Sequence, residues 1–585
     1  MKKFHINDLP YFQRWFIIAT IIGIIAGLGA LLFYYAIIFF SYLFMNIFLG
    51  ISFPVPVGEG SYLNFSITNS RYFLIPVSTT LGGLLSGLIV YKFAPEAEGH
   101  GTDAAIDAYH NKQGKVRKIV IPIKTLASAI TIGSGGSAGR EGPTAQISSG
   151  LGSIVADLLH LSPEDRRRAV AVGIGAGIGT IFKAPIGGAI LGAEILYKKD
   201  IEPEIIYPSL IASAIGYSIF GSVVGFTPIF GYYVGMFNPM RLPFYLILGL
   251  VSGLVAIFYV KTFYRIHDFF KNIKINKYFK PALGGFITGI IALLFPEVMG
   301  VGYGWIQIFM SNNLKIIPTF GLPLIIILIM LPIMKILATS FSIGSGGSGG
   351  VFAPGMVIGA SLGLLFGILF NALFPSIVTS YIPFVIIGML SFFAAAGKVP
   401  LSVMIMVVEM TGSLQLLPAA MISVAASYLI SGNSSIYRSQ VPTRKESPAH
   451  LGEYNTPLLT SIKISQTQIH DIKIGMNESV HKARILMEMN GFISLPVVDE
   501  NNRFLGVVYL ADIESNDEKK VKDFIKFGIA YVHLDSSAEQ AWEVMSQIKS
   551  TWAPVVEKGL FLGIVTMNDL IKVYKQNVSY IKSQV

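Results

Sequence analysis

Cysteine is absent from this 585-residue chain, and charged residues are scarce. The lack of cysteine excludes disulfides and thiol chemistry, although it does not fix the compartment. Asp, Glu, Lys and Arg make up 13% of the residues and hydrophobic residues 52%, whereas a soluble globular protein carries about 25% charged residues. With a mean hydropathy of +0.62, the chain is expected to have lipid as the solvent for much of its length.

Signals of a nucleic-acid-binding protein or of an enzyme are also missing. The net charge is +10, but the basic residues are scattered and form no stripe with interleaved aromatics, so nucleic acid is not an expected partner. The positive-inside rule for membrane helices accounts for the charge. The sequence has no His/Cys/Asp cluster with metal-ligand spacing and no nucleophile elbow. We therefore predict a protein that is not an enzyme and that requires no cofactor or metal.

Long apolar runs are abundant, and they predict a polytopic membrane protein. A bilayer-spanning helix takes about 20 apolar residues. The first run has no small-residue cleavage site after it, so it is predicted to be a membrane helix and not a signal peptide. Shorter runs broken by Gly or Pro predict half-helices that end inside the membrane. The long runs lie at 16–40, 73–90, 204–225, 243–259, 281–295, 321–341, 351–375 and 381–396, and the short ones at 118–132, 141–159, 169–182 and 184–197.

The composition changes near residue 440. A polar stretch from about Gln440 to Asn455 precedes a soluble βα pattern that continues to about residue 577. This change predicts a membrane domain over residues 1–450 and a soluble domain over 451–585. A soluble domain without a hydrophobic leader stays where it is made, so the C-terminus is predicted to be cytoplasmic. The basic start, Met1-Lys2-Lys3, predicts the same side for the N-terminus.

A glycine-rich loop occurs twice, at a distance of 211 residues. GSGGSAGREGP (Gly133–Pro143) and GSGGSGGVFAP (Gly344–Pro354) match at seven of eleven positions. Such a loop before a helix exposes N–H groups at the positive end of the helix, which binds anions. Neither loop has the GK[ST] ending of a P-loop or the βαβ setting of a dinucleotide fold. Within a membrane domain, paired loops indicate one midplane site between two similar halves.

Close packing between helices is the alternative explanation for loops of small residues. Glu141 in the first loop argues against it. An acidic residue inside the membrane costs about 3 kcal/mol on insertion scales and is functional by default. Packing alone would not require a carboxylate there.

GREGP (139–143), followed far downstream by GVFAP (350–354), resembles the chloride channel and transporter family, CLC, over residues 13 to 450. The resemblance implies an all-α membrane domain of about eighteen helices in two inverted-repeat halves. It also implies a homodimer in the plasma membrane, with one anion pathway per subunit. Glu141 stands where the family has its gating glutamate. A carboxylate is itself an anion, so it can occupy and block an anion site until it is protonated or displaced.

The resemblance assigns further residues to the anion pathway. Tyr437 in NSSIYRSQ stands where a late tyrosine gives its hydroxyl to the central anion, although an interfacial tyrosine is the alternative. Lys124 in IPIKTL matches a family lysine that raises the local potential for anions, and Lys183 and the Arg140 side chain would add to it. The backbone N–H groups of an outer anion site would come from Arg140, Glu141 and Gly142, faced by those of Val351 and Phe352.

The early loop departs from the family pattern. GHGTD (99–103) stands where the family usually reads Gly-Ser-Gly-Ile-Pro, so His100, with Gly101 and Thr102, takes the place of the anion-contacting serine. Because histidine titrates near neutral pH, a pathway lined by His100 would have a pH-sensitive anion affinity. In the alternative, the backbone binds the anion and His100 points elsewhere. Chloride or a similar small anion, such as nitrate or bromide, is the expected substrate.

Whether the protein is a channel or an exchanger stays open. Exchangers in the family often carry two acids in tandem after an Ala-Pro. In KAPIGGAILGAEILYKK (183–199), Glu194 matches the first acid, but Ile195 stands where the second, proton-relaying acid would be. We therefore predict a gated chloride channel, with a proton-coupled Cl−/H+ antiporter as the alternative. Glu409 in VVEMTG is predicted to be a structural, hydrogen-bonded acid.

The soluble part contains its own repeat, LPVVDENNRFLGVVYLAD (495–512) and APVVEKGLFLGIVTMND (553–569). The pattern resembles a tandem pair of CBS domains, an α/β module, over about 456–515 and 520–577. That family often binds adenine nucleotides through a Ser or Thr and an Asp three residues later. Thr566 and Asp569 match in the second copy, whereas the first has Tyr509 with Asp512. Regulation by a nucleotide and a purely structural repeat both stay open, and a membrane-anchored nucleotide-sensing receptor is the distant alternative function.

Overall fold

The structure is a computed structural model that describes residues 9–61, 63, 65–67, 69–311, 313–318, 321–450, 458–513 and 518–584. The basic start at residues 1–3 and the last part of the polar stretch, 451–455, lie outside the described residues. The chain divides into two compact units, residues 1–449 and 450–585.

The first unit is built of helices, because a backbone in lipid has to satisfy its hydrogen bonds within its own segment. Sixteen α-helices fall in its described residues, and short 3₁₀ turns such as Pro95–Ala97 and Pro296–Val298 lie between them. Among the described residues, six helical segments are long and apolar enough to cross a membrane. Those segments are Tyr11–Leu49, Arg71–Phe93, Pro203–Val224, Pro239–Asn272, Leu324–Gly344 and Phe352–Leu373.

The helices of the first unit are α1 Tyr11–Ser41, α2 Ile75–Phe93, α3 Thr102–Asn111, α4 Val120–Gly133, α5 Glu141–Leu158, α6 Pro163–Ile181, α7 Pro185–Glu194, α8 Pro203–Val224, α9 Leu242–Asn272, α10 Lys280–Leu294, α11 Tyr303–Phe309, α12 Leu324–Gly344, α13 Phe352–Leu373, α14 Ile382–Gly397, α15 Pro400–Thr411 and α16 Leu417–Ile430. A short antiparallel pair, β1 Ile51–Ser52 and β2 Ser66–Ile67, lies in the loop after α1.

One predicted half-helix is longer than its apolar run. The run at 169–182 becomes α6, which begins at Pro163 in the charged stretch before it. Ser162 caps this start by accepting the N–H of Asp165 at 3.1 Å, and Pro at the first helical position favours it. The boundary was predicted from hydropathy alone, so the prediction missed the first turn of α6, which is stabilised by capping.

Paired conformations repeat in the two halves of this unit. Gly135 follows α4 and Gly346 follows α12, with φ of +97° and +103°, a region that glycine adopts without strain. Lys183 joins α6 to α7 and Lys398 joins α14 to α15, with φ of +53° and +58°. The two similar halves that the glycine loops predicted are thus confirmed.

Two carboxylates tie the halves together reciprocally. Glu194, at the end of α7, accepts the backbone N–H groups of residues 401 and 402 at 3.0 and 2.9 Å, at the start of α15. Glu409, on α15, accepts the N–H groups of residues 186 and 187 at 3.0 and 2.8 Å, at the start of α7. Each carboxylate satisfies free N–H groups at a positive helix end. Glu409 is therefore hydrogen-bonded as a structural acid would be, and Glu194 is bound in the same way.

Small residues let the membrane helices approach closely, as is usual where lipid gives no hydrophobic drive to association. A Cβ on Gly188 of α7 would come within 2.2 Å of the Gly179 Cα in α6. In the second half, a Cβ on Gly359 of α13 would come within 2.3 Å of the Gly388 carbonyl oxygen in α14. Glycine is therefore required for the packing of both pairs.

The second unit contains two copies of a strand and helix module. Its strands are β3 Ile474–Gly475, β4 Ser494–Val498, β5 Phe504–Tyr509 and β6 Lys526–Phe527, which form one sheet in that order, and the antiparallel pair β7 Trp552–Glu557 and β8 Leu560–Thr566. The register shifts between residues 497 and 498 in the first copy and between 555 and 556 in the second. The helices are α17 Leu458–Ser461, α18 Val480–Asn490, α19 Leu510–Ile513, α20 Ala538–Gln547 and α21 Met567–Gln584. The predicted paired α/β module is confirmed.

Candidate anion site

The two glycine loops face each other and exchange backbone hydrogen bonds. The Gly139 N–H donates to the Gly350 carbonyl at 2.7 Å, and the Gly350 N–H donates to the Gly139 carbonyl at 2.6 Å. The early loop joins them, because the Gly99 N–H donates to the Gly347 carbonyl at 2.9 Å. Three segments that are far apart in the sequence therefore form one junction.

Three helices begin at this junction. α5 begins at Glu141, α13 at Phe352 and α3 at Thr102. A Cβ on Gly142 would come within 2.1 Å of the His100 carbonyl oxygen, so the starts of α5 and α3 are in backbone contact. Helix N-termini carry free N–H groups and the positive end of the dipole. Their convergence makes a region that stabilises an anion.

Glu141 places a carboxylate inside this region. Its side chain is buried, with 1% of its surface exposed. The carboxylate accepts a hydrogen bond from the Tyr303 hydroxyl and another, at 3.3 Å, from the Ala353 N–H in the first turn of α13. An acidic side chain of the protein thus lies at the helix N-terminus where an anion would bind.

Arg140 is neutralised by a partner that the sequence did not predict. Its guanidinium forms an ion pair with Glu59 and donates to the Ile181 carbonyl at 3.3 Å. It also lies 5.6 and 5.2 Å from the ring centroids of Tyr34 and Tyr303. Because Glu59 balances its charge, the Arg140 side chain does not act as the uncompensated cation that the sequence suggested, and its backbone N–H is what remains at the start of α5.

Val351 and Phe352 turn their side chains into the core. The Phe352 ring packs 3.8 Å from the Phe393 ring and 4.7 Å from the Phe182 ring, measured between centroids. The Val351 carbonyl accepts from the Tyr259 hydroxyl at 3.3 Å. Because both side chains are buried in the apolar core, the backbone is the polar part of this pair, and its role as an anion ligand stays a prediction.

The residues predicted to form the central part of the pathway lie together. Tyr437 is buried, and its side chain is hydrogen-bonded to that of Thr102. The His100 ring centroid lies 5.5 Å from that of Tyr437 and 6.2 Å from that of Phe263. Among the described residues, Nδ1 of His100 has no hydrogen-bond partner. The late tyrosine and the early loop thus meet although 335 residues separate Thr102 from Tyr437.

Two cavities flank Glu141. The first, of about 600 Å³, is lined by His100, Gly101 and Asp103 among others, and we name it the His100 cavity. The second, of about 530 Å³, is lined by Arg140 and Tyr303 among others, and we name it the Tyr303 cavity. The carboxylate of Glu141 is bound by Tyr303, and its neighbour Gly142 touches His100. Glu141 therefore lies between the two cavities.

Lys124 is fully buried beside the early loop, and its Nζ donates to the Ala97 and Gly99 carbonyls at 3.0 and 2.8 Å. Lys335 does the same in the second half, where its Nζ donates to the carbonyls of residues 298 and 300 at 2.8 and 3.3 Å. Both hydrogen-bond partners of Lys124 are neutral carbonyls, and Glu98 is the acidic side chain that acts on its charge. The repeat also shows a structural role for Lys124 that the sequence did not predict.

Tyr303 is a residue of this site that sequence reasoning missed. A signal for it exists, because PEAEGHG (95–101) and PEVMGVG (296–302) are identical at four of seven positions. Gly101 and Gly302 end these segments with φ of +83° and +87°. The residues that follow, Thr102 and Tyr303, begin α3 and α11 and are therefore structural counterparts.

The second copy of the soluble module holds the predicted pair of groups. Oδ2 of Asp569 accepts the Thr566 hydroxyl at 2.5 Å and the Thr566 N–H at 3.0 Å, and it lies 3.0 Å from Nε2 of His470. Partial burial opposes ionisation of Asp569, but the hydrogen bonds from Thr566 and the contact with His470 outweigh it and lower the pKa of Asp569.

The first copy is arranged differently. The Tyr509 hydroxyl donates to the Ile548 carbonyl at 3.1 Å. Asp512 lies 3.5 Å from the Lys526 Nζ. Among the described residues, only the second copy therefore has its hydroxyl hydrogen-bonded to the carboxylate three residues later. In neither unit do the described residues form a His/Cys/Asp/Glu cluster that could hold a metal ion.

A carboxylate held at converging helix N-termini, between two cavities of an apolar helical unit, is the arrangement of a membrane protein that transports small anions. The model of the family described as "Voltage gated chloride channel" matches residues 82–432, and the model described as "CBS domain" matches residues 467–516 and 521–576. The chain belongs to the voltage-gated chloride channel family, whose members transport anions, and it carries a tandem pair of CBS domains.

Relatives and solved structures agree with this assignment. An uncharacterised protein of Methanocaldococcus jannaschii is 30% identical over 400 residues, which cover 68% of this chain and 89% of that protein. The H(+)/Cl(-) exchange transporter ClcA of Salmonella paratyphi B is 31% identical over 367 residues, covering 60% and 74%. A slow cyanobacterial Cl−/H+ antiporter superposes with a TM-score of 0.62 at 22% identity over 73% of this chain and 96% of that one. A eukaryotic CLC transporter superposes with a TM-score of 0.58 at 19% identity over 96% and 98%.

Proposed function

We propose that the protein exchanges chloride for protons across the membrane, with Glu141 as both gate and proton carrier. The observation that carries this proposal is the Glu141 carboxylate, which the Ala353 N–H binds at the start of α13. There the carboxylate competes with chloride for the same positive helix ends. Protonation removes its charge and favours its release. Because chloride and the Glu141 carboxylate compete for one place, the movement of chloride is linked to the movement of the proton that Glu141 carries.

We infer two neighbouring chloride positions. At the junction, backbone N–H groups of two facing helix starts bind the ion, and beside the His100 cavity hydroxyl groups bind it. The positive charge of Lys124 raises the potential along the pathway. The proposed ligands are the N–H groups of Arg140, Glu141, Gly142, Val351 and Phe352 at the first position, and His100, Gly101, Thr102 and Tyr437 at the second.

Exchange is favoured over the gated channel that the sequence led us to predict. Relatives that are 28% and 31% identical are named H(+)/Cl(-) exchange transporters. Ile195 is the observation that favours the second candidate, a gated channel, because this fully buried residue has no group that binds a proton. In the exchanger that we propose, the proton reaches Glu141 without a carboxylate at residue 195.

We infer a homodimer in the plasma membrane with both termini in the cytoplasm, which cross-linking and protease accessibility would test. The CBS pair would regulate transport by binding an adenine nucleotide at Thr566 and Asp569, with Asp512 as the altered counterpart. No step of this cycle makes or breaks a covalent bond other than to a proton, so the proposal does not include an enzymatic activity.

The experiment that tests the proposed function follows both ions at once. Purified protein is placed in liposomes with a chloride gradient, and chloride efflux and external pH are recorded together. Exchange predicts proton uptake that is driven uphill by the chloride gradient, whereas chloride efflux without proton movement would leave the gated channel in its place.

A further inference from the structure

We propose that Tyr303 is a positioning residue for Glu141, whose hydroxyl holds the carboxylate in the blocking position and so sets how readily the gate opens. The inference rests on the proposed gating role of Glu141. Its central observation is the hydrogen bond that the Tyr303 hydroxyl donates to the Glu141 carboxylate.

The direction of this hydroxyl is fixed by its surroundings. Tyr303 begins α11 and is 3% exposed. Its ring lies 5.7 Å from the Phe230 ring and 6.4 Å from the Phe182 ring, between centroids. The Arg140 guanidinium, 5.2 Å from the ring centroid, adds a cation–π contact. A ring held on three sides leaves the hydroxyl little choice of partner other than Glu141.

The internal repeat supports a functional interpretation of this contact. Thr102 and Tyr303 occupy the same place in the two halves, directly after a glycine with positive φ. Thr102 is hydrogen-bonded to Tyr437 in the central part of the pathway, and Tyr303 is hydrogen-bonded to Glu141. Each half therefore presents a hydroxyl from the same position to a group in the ion pathway.

The hydroxyl of Tyr303 is expected to shift the pH at which protonation of Glu141 opens the gate. A donated hydrogen bond favours the charged carboxylate over the protonated one. The other charged or polar groups that act on Glu141 are the Arg140 guanidinium, paired with Glu59, the backbone N–H groups of Glu141 and Ala353, and the Tyr437 hydroxyl. These remain when the Tyr303 hydroxyl is removed. Its removal is therefore expected to release the carboxylate more readily and to let protonation open the gate at a higher pH.

The test compares chloride and proton flux in liposomes, from pH 4 to 8, for the wild type and Tyr303→Phe. The phenylalanine keeps the ring and its contact with Arg140. We expect a chloride flux about ten-fold higher near neutral pH, as loss of a hydrogen bond to a charged group implies, and a pH of half-maximal flux about one unit higher. Tyr381→Phe is the matched control, because the Tyr381 hydroxyl donates at 2.7 Å to the Ser311 carbonyl just beyond the other end of α11.

A double-mutant cycle separates positioning from a merely structural role. In a Glu141→Ala background the hydroxyl has no carboxylate to hold, so adding Tyr303→Phe is expected to leave flux unchanged. A wild-type pH profile in Tyr303→Phe, the same shift in Tyr381→Phe, or an equal effect of Tyr303→Phe with and without Glu141 would each overturn the proposal. The wild-type control tests the proposed exchange separately, since chloride flux without proton movement in the wild type would contradict exchange and leave the pH profile of Tyr303→Phe interpretable.

Discussion

The two halves of the membrane unit share their scaffold and differ at the centre. Both have a buried lysine that binds two loop carbonyls, Lys124 in one and Lys335 in the other. Each also has a carboxylate that caps a helix of the opposite half. At the junction the first half carries Arg140-Glu141, whereas the second carries Val351-Phe352. Residues that repeat therefore build the junction, and residues that differ give it its chemistry.

The two copies of the module in the soluble unit also share their scaffold and differ at one position. Its two copies repeat the same strand register shift, between residues 497 and 498 and between 555 and 556. They differ at one position of the nucleotide motif, where Tyr509 stands in the first copy and Thr566 in the second. The comparison assigns the strand pattern to folding, and the differing position belongs to the proposed nucleotide site.

The largest effect is expected where the halves differ most. Glu141→Gln removes the proton-binding group and keeps the shape, so proton turnover should fall by at least about 100-fold while chloride flux continues. Glu409→Gln is the matched control, because Glu409 is a half-buried, hydrogen-bonded carboxylate that belongs to the shared scaffold. Parallel chloride and pH recordings on liposomes check both variants. Coupled proton movement in Glu141→Gln, or its loss in Glu409→Gln, would break the comparison.

The paired lysines, Lys124 and Lys335, allow a second comparison of the two halves. Lys124→Met and Lys335→Met each leave two buried carbonyls without a donor, so both should lose about 2 kcal/mol of stability. Lys124 alone lies beside the proposed chloride ligands, so its variant should also bind chloride about ten-fold more weakly, as expected from loss of a nearby charge. Thermal unfolding in detergent and calorimetric chloride titration measure the two effects. Equal chloride affinities in the two variants would show that Lys124 is scaffold only.

The reciprocal carboxylates should be equivalent in stability. Glu194→Gln and Glu409→Gln each remove a charge from a helix N-terminus and keep a hydrogen-bond acceptor, so each should cost about 1 kcal/mol. Thermal unfolding of the two variants in the same detergent makes the comparison. If Glu194→Gln is as stable as the wild type but slows proton uptake, Glu194 belongs to the proton pathway and not to the scaffold.

The smallest effect is a pH dependence in the soluble unit. The pKa of Asp569 is lowered in the folded protein by Thr566 and His470, so its ionised form stabilises the fold. That contribution is present above the ordinary Asp pKa of about 3.9 and is lost as the pH falls through the lowered pKa. As the pH falls over this range, the protection factors of the β8 amides against hydrogen exchange in the full chain should decrease in the wild type and not in Asp569→Asn. An equal decrease in the wild type and the variant would assign the pH dependence to another group.

Much of the fold was predictable because its signals are local. The glycine loops indicate two halves, since their spacing and composition repeat, and Glu141 stands out because a carboxylate is costly in an apolar segment. The strand and turn pattern predicts the soluble module for the same reason. These predictions need no knowledge of which segments touch.

The partners of the site were less predictable, because they come from distant segments. Glu59 reaches Arg140 from a polar loop 81 residues earlier, where a carboxylate is unremarkable. Tyr303 lies in an apolar stretch, where an aromatic residue looks like ordinary packing. Its place beside the site becomes visible once the first half is aligned with the second, so the repeat and not the local sequence carries the information.

The central claim is that one carboxylate couples chloride to protons, and a reversal potential tests it most directly. Wild-type protein in a planar bilayer is held under a fixed chloride gradient while the pH gradient is varied. If Glu141 couples the two ions, the reversal potential moves with the pH gradient in the wild type and follows chloride alone in Glu141→Gln. A wild-type reversal potential that stays at the chloride equilibrium value for every pH gradient would contradict it.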